Sequence, residues 1–381
     1  MDQLFVHIDQ AIIHWAQAVL PDWMAVIVAM KIPIVAIAIF GPVTMMYLTL
    51  IERKLLARIQ NRFGPNRVGK FGLLQPLADG VKMLTKEDIV PEKADKIAHL
   101  LAPILIVIPA LLVFAVLPFG RNMIAVDLNI GVLFFLAMSG TTTLFIFTAA
   151  WASHNKFSLL GGMRSVAQMI SYEIPFVLSV VPVLVVVGSF STVAIVEAQP
   201  GLHWFVFTPW GAVGFFIFFI CAVAEVNRTP FDLPEAESEL VAGFHTEYSG
   251  MKFALFYMAE FMNVFTVSAL VATVFLGGWQ GPILPSWVWF LLKTYTLILI
   301  MMWFRGTFPR LRADQLMGFA WKFLLELTFV NIIVAAIWYE MRSPLNHLTA
   351  AAILIVTIIV LFQFNKTEIP KKRIYKYAYA D

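Results

Sequence analysis

The chain has 381 residues, 60% of them hydrophobic and only 13% charged, with a formal net charge of +3 and a mean hydropathy of +0.82. Soluble domains carry about one quarter charged residues, so this composition excludes a soluble globular protein and points to an integral membrane protein. Apolar stretches of about 20 residues recur, as helices spanning the hydrocarbon core require, and the short alternating strands of a membrane barrel are not visible. The expected fold is all-α, a polytopic transmembrane helical bundle forming one integral membrane domain over 1–381.

In chain order, residues 1–20 do not read as a signal peptide, because Asp2 and Asp9 stand where a basic leader would be. Gln3, His7, Gln10, His14 and Gln17 recur at helical spacing, which predicts an amphipathic helix at the interface or against a partner. His7 and His14 belong to that polar stripe. About nine spans follow, at 24–50, 100–119, 130–152, 166–188, 210–226, 251–276, 286–304, 317–339 and 348–364. The last of these, with the basic tail, makes 348–381 an addition at the end of the bundle.

The first connection, 52–96, is long. Arg58–Gly72 is rich in Gly and Arg and predicts a turn-dense segment. Leu73–Lys86 reads as a short helix with Pro76 in its first turn. Leu74, Leu77, Val81 and Leu84 form its apolar face, and Asp79, Lys82 and Lys86 another. Together these pieces suit a slot open to the membrane that takes an amphiphile. Nucleic acid is excluded as a partner, since no aromatic platform is interleaved with the basic residues and the segment is tied to the bilayer.

Nine spans place the termini on opposite sides. The connections at 51–96, 153–165, 227–250 and 305–316 then share a face with the tail after 364 and hold nearly all the cations. The other loops have little beyond Arg121 and Arg342. This asymmetry predicts that the rich face is cytoplasmic, with the N-terminus outside and the C-terminus inside.

The single Cys221 cannot hold an iron–sulfur cluster or an internal disulfide, and no nucleotide, zinc or acyl-transfer motif is present. Any redox chemistry must use a substrate or cofactor that another component brings. The titratable residues of interest are acids inside spans: Glu173, Glu225, Glu260 and Glu326. An ionised carboxylate at mid-membrane costs ~3 kcal/mol or more, so each needs a partner or a wet cavity. Glu326 follows Lys322 by one turn, which favours a structural ion pair. Glu173 and Glu225 have no cation at helix spacing within their spans, which favours protonatable sites.

The segment Ala224–Gly243 (224–250 with its flank) gathers Glu225, Asp232, Glu235, Glu237 and Glu239 around one cation, Arg228. A helix starting near Pro234 would align Asp232, Glu235 and Glu239. The helix dipole favours acids in a first turn by ~0.3–1 kcal/mol each, which accounts for Asp232 and Glu235 but not for Glu237 and Glu239. Proton handling competes here with a plain solvated acidic loop.

IERK at 51–54, QNRFGPNRVG at 60–69, LLQPLADGVKMLTKE at 73–87, ISYEIP at 170–175, AEVNRTPFDLPEAESELVAGF at 224–244, HTEYSGMKFALFYMAEF at 245–261 and RGTFPRLRADQLM at 305–317 resemble the signature blocks of one family. That family comprises the H subunits, also numbered 1, of the proton-translocating NADH:quinone oxidoreductase, respiratory complex I. The ninth span and basic tail are similar to bacterial members. The resemblance implies a subunit that is not catalytic alone, sits in the bacterial inner membrane and joins the redox arm to the membrane arm. Its partners would be the redox-arm quinone-site subunits, small membrane subunits and antiporter-like subunits. Quinone would be the substrate, with NADH, FMN and iron–sulfur clusters on partner subunits and no cofactor bound by this chain alone.

Carried over by position, the resemblance implies that Glu52, Arg53, Arg62, Asp79 and Lys82 line the quinone chamber. It implies that Glu173, Glu225, Arg228, Asp232, Glu235, Glu237, Glu239 and Glu260 belong to a glutamate-rich proton path. Some relatives carry a further acid in the third span; Gly140–Thr143 here offers only hydroxyls, which points to water filling the gap. Three other readings compete: the homologous anchor of a membrane-bound hydrogenase, a purely structural anchor for the redox arm, and a stand-alone ion transporter, against which the missing inverted repeat argues.

Overall fold

In this computed structural model the described residues are 10–12, 14, 21–233, 242–341 and 346–364. The helices are α1 (Asp22–Ile59), α2 (Gln75–Thr85), α3 (Lys96–Leu112), α4 (Gly131–Ala152), α5 (Lys156–Val187), the short α6 (Thr192–Glu197) and α7 (Pro209–Glu225). They continue as α8 (Gly250–Phe275), α9 (Ser286–Thr307), α10 (Ala313–Phe319), α11 (Leu325–Glu340) and α12 (Asn346–Phe364). A π-helical turn, Ala320–Leu324, joins α10 to α11. Seven of the membrane-length pieces are long and apolar enough to cross a bilayer, and α7 and α12 are shorter apolar helices. These nine segments coincide with the nine expected spans, in an all-α bundle.

Three boundaries differ, for physical reasons. The first helix runs on through Ile59, so Glu52 and Arg53 stand on its last turns and not in a loop. Glu, Arg, Lys and Leu are strong helix formers, and nothing in IERKLLARI interrupts the ladder. The fourth span begins at Lys156, where the Asn155 side chain accepts a hydrogen bond from Phe157 N–H. Its first turns bury Ser158, Gly161, Gly162, Ser165 and Gln168, a helical stripe of small and polar residues that hydropathy does not flag. The predicted helix at Leu73–Lys86 forms from Gln75 to Thr85 with Pro76 in the first turn. The expected N-terminal helix is described only at 10–12 and 14, which are helical; the rest of 1–20, the helix near Pro234 and the tail after 364 lie outside the described residues.

The centre of the bundle is α8, in which every residue from Val264 to Phe275 is buried. Its Ala, Ser and Thr side chains let α1, α3, α7 and α9 approach it closely. Around Phe265, the rings of Phe40, Phe114 and Phe119 pack within 5.6–6.4 Å centroid distance. At the end of α8, the buried Lys293 donates to the carbonyls of Leu276 (2.5 Å), Gly278 (2.9 Å) and Gln280 (2.7 Å). These contacts satisfy the C-cap carbonyl of the helix and two carbonyls of the turn that follows it.

The opposite end carries the charge, and there the expected same-face connections meet. Lys252 pairs with Asp88 at 2.8 Å, Ser249 Oγ donates to the Glu87 carbonyl at 3.1 Å, and Asp95 N–H donates to the Ala152 carbonyl at 3.1 Å.

Candidate functional site

Four charged side chains from four elements converge at this end. Arg228, on the turn after α7, places Nη1 2.9 Å from both oxygens of Glu52 on α1. Its Nε lies 3.0 Å from Glu260 Oε1 on α8, and its guanidinium sits 4.3 Å from the Phe261 ring centroid. Arg305, near the end of α9, donates from Nη1 to Glu52 Oε1. Glu52 and Arg228 are buried, at 4% and 7% exposure. Two cations face two carboxylates, so the group is neutral as a whole. That balance makes a buried cluster tolerable, because each desolvated charge keeps an opposite partner.

Arg228 is held there by a local device. Gln168 of α5 is fully buried and its Nε2 donates to the carbonyls of Ala224 (2.9 Å) and Phe231 (2.7 Å). Both ends of the turn are thereby pinned to α5. Asn227 takes a positive φ of 53°, which Asn tolerates better than most residues. Asp232 is buried and accepts from Arg310 Nη2 at 3.0 Å, so a second arginine from the α9–α10 connection closes this turn.

Behind the quartet lies a cavity of about 40 Å³, lined among others by Glu225, Glu260, Thr142, Asn227, His245 and Tyr257. A space of this size with polar groups in its wall has room for a water or two, since one water needs roughly 10–15 Å³. Glu225 is 7% exposed and neither of its oxygens has a hydrogen-bond partner among the described residues. Glu173 stands on α5, the helix that packs against α7, which carries Glu225. The Glu173 carboxylate lies against Gly140 of α4, where an added Cβ would overlap Oε1. His245, just outside the spans, is buried in this wall, and desolvation pushes its imidazole down to about 4.

The remaining residues lie at the rim. Arg53 Nη1 donates to Asp79 Oδ2 at 2.7 Å, and Lys82 Nζ stands 3.4 Å from Asp79 Oδ1. Burial raises the Asp79 carboxyl, but the Arg53 hydrogen bond and the charges of Arg53 and Lys82 outweigh it and leave it below the usual range. On the same short helix, Leu77, Val81 and Leu84 are exposed. Arg62 is exposed, donates to Gln60 Oε1, and makes no contact with the other predicted residues among those described. Glu235, Glu237 and Glu239 lie outside the described residues.

The structure therefore pairs Arg228 with Glu52 and Glu260, from two distant helices, rather than with Glu225 or Asp232. Sequence reasoning passed over Arg305 and Arg310 as ordinary basic-face charge and passed over Gln168 altogether. A lone Gln within an apolar span was the available signal for the last.

The sequence model of the NADH dehydrogenase family matches residues 32–336. The NADH-quinone oxidoreductase H subunit of Dehalococcoides mccartyi (strain CBDB1) is 49% identical over 328 residues, 86% of this chain and 91% of the relative. The second H subunit of the same oxidoreductase in Syntrophobacter fumaroxidans is 52% identical, covering 77% of this chain and 90% of its own length. The Geobacillus kaustophilus H subunit is also 52% identical, over 76% of this chain and 88% of its own. On a match of this length and identity, the chain belongs to the NADH dehydrogenase family, in the group of the NADH-quinone oxidoreductase H subunits.

Proposed function

We propose that this chain is a multi-pass membrane subunit of a proton-translocating NADH:quinone oxidoreductase, that its charged end forms part of the quinone chamber, and that Glu260, Glu225 and Glu173 pass the resulting charge change into the membrane. The observation that carries this reading is the neutral quartet Glu52–Arg228–Glu260–Arg305, whose Glu260 lines a water-sized cavity together with Glu225.

A quinone becomes a quinol by taking two electrons, from a redox partner, and two protons. The rim group Arg53–Asp79–Lys82 and the exposed apolar face of α2 suit a polar head with an apolar tail. Negative charge arriving beside a neutral, desolvated quartet is poorly screened, so it shifts the balance of the nearest carboxylates. Glu260 shares its arginine with Glu52, and Glu225 has no hydrogen-bond partner among the described residues. Glu225 is thus the group able to gain or lose a proton without breaking an ion pair, through cavity water. Glu173 then offers the next carboxylate on the side facing α4. Asp232, held by Arg310, sets the field at the entrance of this path, and Glu235, Glu237 and Glu239 are assigned to the path by the family resemblance. The charged end would face the cytoplasm, where the redox arm and its NADH, FMN and iron–sulfur clusters dock; the small and antiporter-like membrane subunits would adjoin the far side.

Glu225→Gln and Glu173→Gln in the assembled complex test this. Each is expected to cut coupled proton translocation at least tenfold, about 1.4 kcal/mol of lost stabilisation, with normal subunit content. Normal quinone reduction and normal pumping in both variants would sink the reading and leave a structural anchor.

A further inference from the structure

Midway along α1, Gly41 packs closely on its neighbours: an added Cβ there would come within 2.9 Å of Met262 Sδ and 3.1 Å of Leu111 Cδ2. Beyond that contact, between the first half of α1 and the 119–125 connection, lies an apolar cleft of about 700 Å³. Its floor is rigid: Phe40 meets Phe114 and Phe119 edge-on at 6.0 and 5.4 Å. Its walls are aliphatic, with Ile32 and Ala36 on one side and Leu291 on the other, and Asn122 lies at its rim. None of the residues used in the proposed quinone or proton path lines it.

We propose that this cleft holds one acyl chain of an anionic phospholipid whose phosphate is held by Arg121. Depth is the first argument. From Ile32 to Phe40 a helix rises about 12 Å, less than half of a hydrocarbon core of about 30 Å. A partner helix would run the whole thickness, whereas a lipid chain occupies a single leaflet. Distance from the charged end is the second. Phe40 and Glu52 are separated by about 18 Å along α1, so the head of a quinone engaged at Arg53 lies outside this cleft. Charge is the third. Arg121 is exposed, sits one residue before Asn122 on the turn at the cleft mouth, and has no carboxylate partner among the described residues. Its backbone N–H donates to Ser286 Oγ at 3.2 Å, which anchors the turn beside the first turn of α9. A guanidinium at the interface above an aliphatic slot matches a phosphate above an acyl chain.

The test uses the assembled complex in vesicles containing phosphatidylglycerol with a photoactivatable acyl chain. Labelling is expected on peptides carrying Ile32–Phe40 and Trp287–Leu291, competed by unlabelled phosphatidylglycerol and not by phosphatidylcholine. Ala36→Trp, which fills the slot, should abolish that labelling while exposed residues of α12 such as Ile355 still label. Arg121→Gln should lower the preference for the anionic lipid about fivefold, the size expected for one basic side chain at a headgroup. Equal labelling by both lipids, unchanged in Arg121→Gln, reduces the cleft to ordinary lipid contact and overturns the proposal. Cross-linking of the cleft to another subunit in place of lipid overturns it as well.

Discussion

Replacing Arg228 by Gln leaves the buried Glu52 and the half-buried Glu260 with only Arg305 to balance them. Breaking a buried pair in this way typically costs about 3–5 kcal/mol. Arg228→Gln is therefore expected to lower the yield of assembled complex and abolish quinone reduction. Arg228→Lys, which keeps the charge but loses the planar fork, should restore assembly and only part of the activity. Blue-native gels and quinone reductase assays on membranes check both; wild-type rates in Arg228→Gln would remove the quartet from the site. Gly140 acts differently. The atom that a Cβ there would strike is the tip of the flexible Glu173 side chain, so Gly140→Ala should assemble normally. It should still displace the carboxylate and reduce proton translocation severalfold, read as quinacrine quenching in inverted vesicles. Coupling equal to wild type would show that the position of Glu173 is immaterial.

At the scale of elements, the connection from 242 to 249 is pressed into the bundle where α5 is bare. An added Cβ at Gly161 would meet the Gly243 backbone at 2.7 Å, and backbone cannot move aside as a side chain can. Gly161→Ala is accordingly expected to destabilise assembly, in contrast to Gly140→Ala. The same close packing buries His245, whose imidazole ordinarily titrates near 6.5 and is held down to about 4. Unfolding then takes up a proton between these values, so the stability His245 contributes is complete above about 6.5 and is lost as pH falls towards about 4. Melting of purified complex across that window should show a shallower acid decline in His245→Gln than in wild type. Parallel declines would mean that another group sets the slope. Legibility follows the same division. The spans at 130–152 and 251–276 were readable because burial in lipid and burial in protein both demand apolar residues. The first turns of α5 were not, since Ser158, Gly161, Gly162 and Ser165 face other helices, and close approach selects small residues rather than hydrophobic ones.

Over the whole molecule, the family match ends at 336 while α12 runs from Asn346 to Phe364. This helix packs on α11 and α7, burying Ala350, Leu354 and Leu361, with the Phe362 ring 5.3 Å from Phe323. In lipid such packing is not driven by removal of apolar surface from water, so its contribution is van der Waals contact alone. Truncation after Met341 is expected to lower the melting temperature by a few degrees and leave quinone reduction intact. Loss of activity in a fully assembled truncated complex would show that α12 supports the site.

Hydropathy and charge alone determined that this chain is an all-α polytopic membrane bundle with one cation-rich end, because the bilayer forces both patterns on a sequence. The acids inside apolar runs were equally visible, as residues that need a partner or a wet cavity. What only the tertiary structure decided is which charge meets which. Arg228 lies nearest Glu225 and Asp232 along the chain, yet its partners are Glu52, from 176 residues away, and Glu260. Ion pairs in a low-dielectric interior are chosen by distance in space, and that distance is set by how α1, α7, α8 and α9 pack.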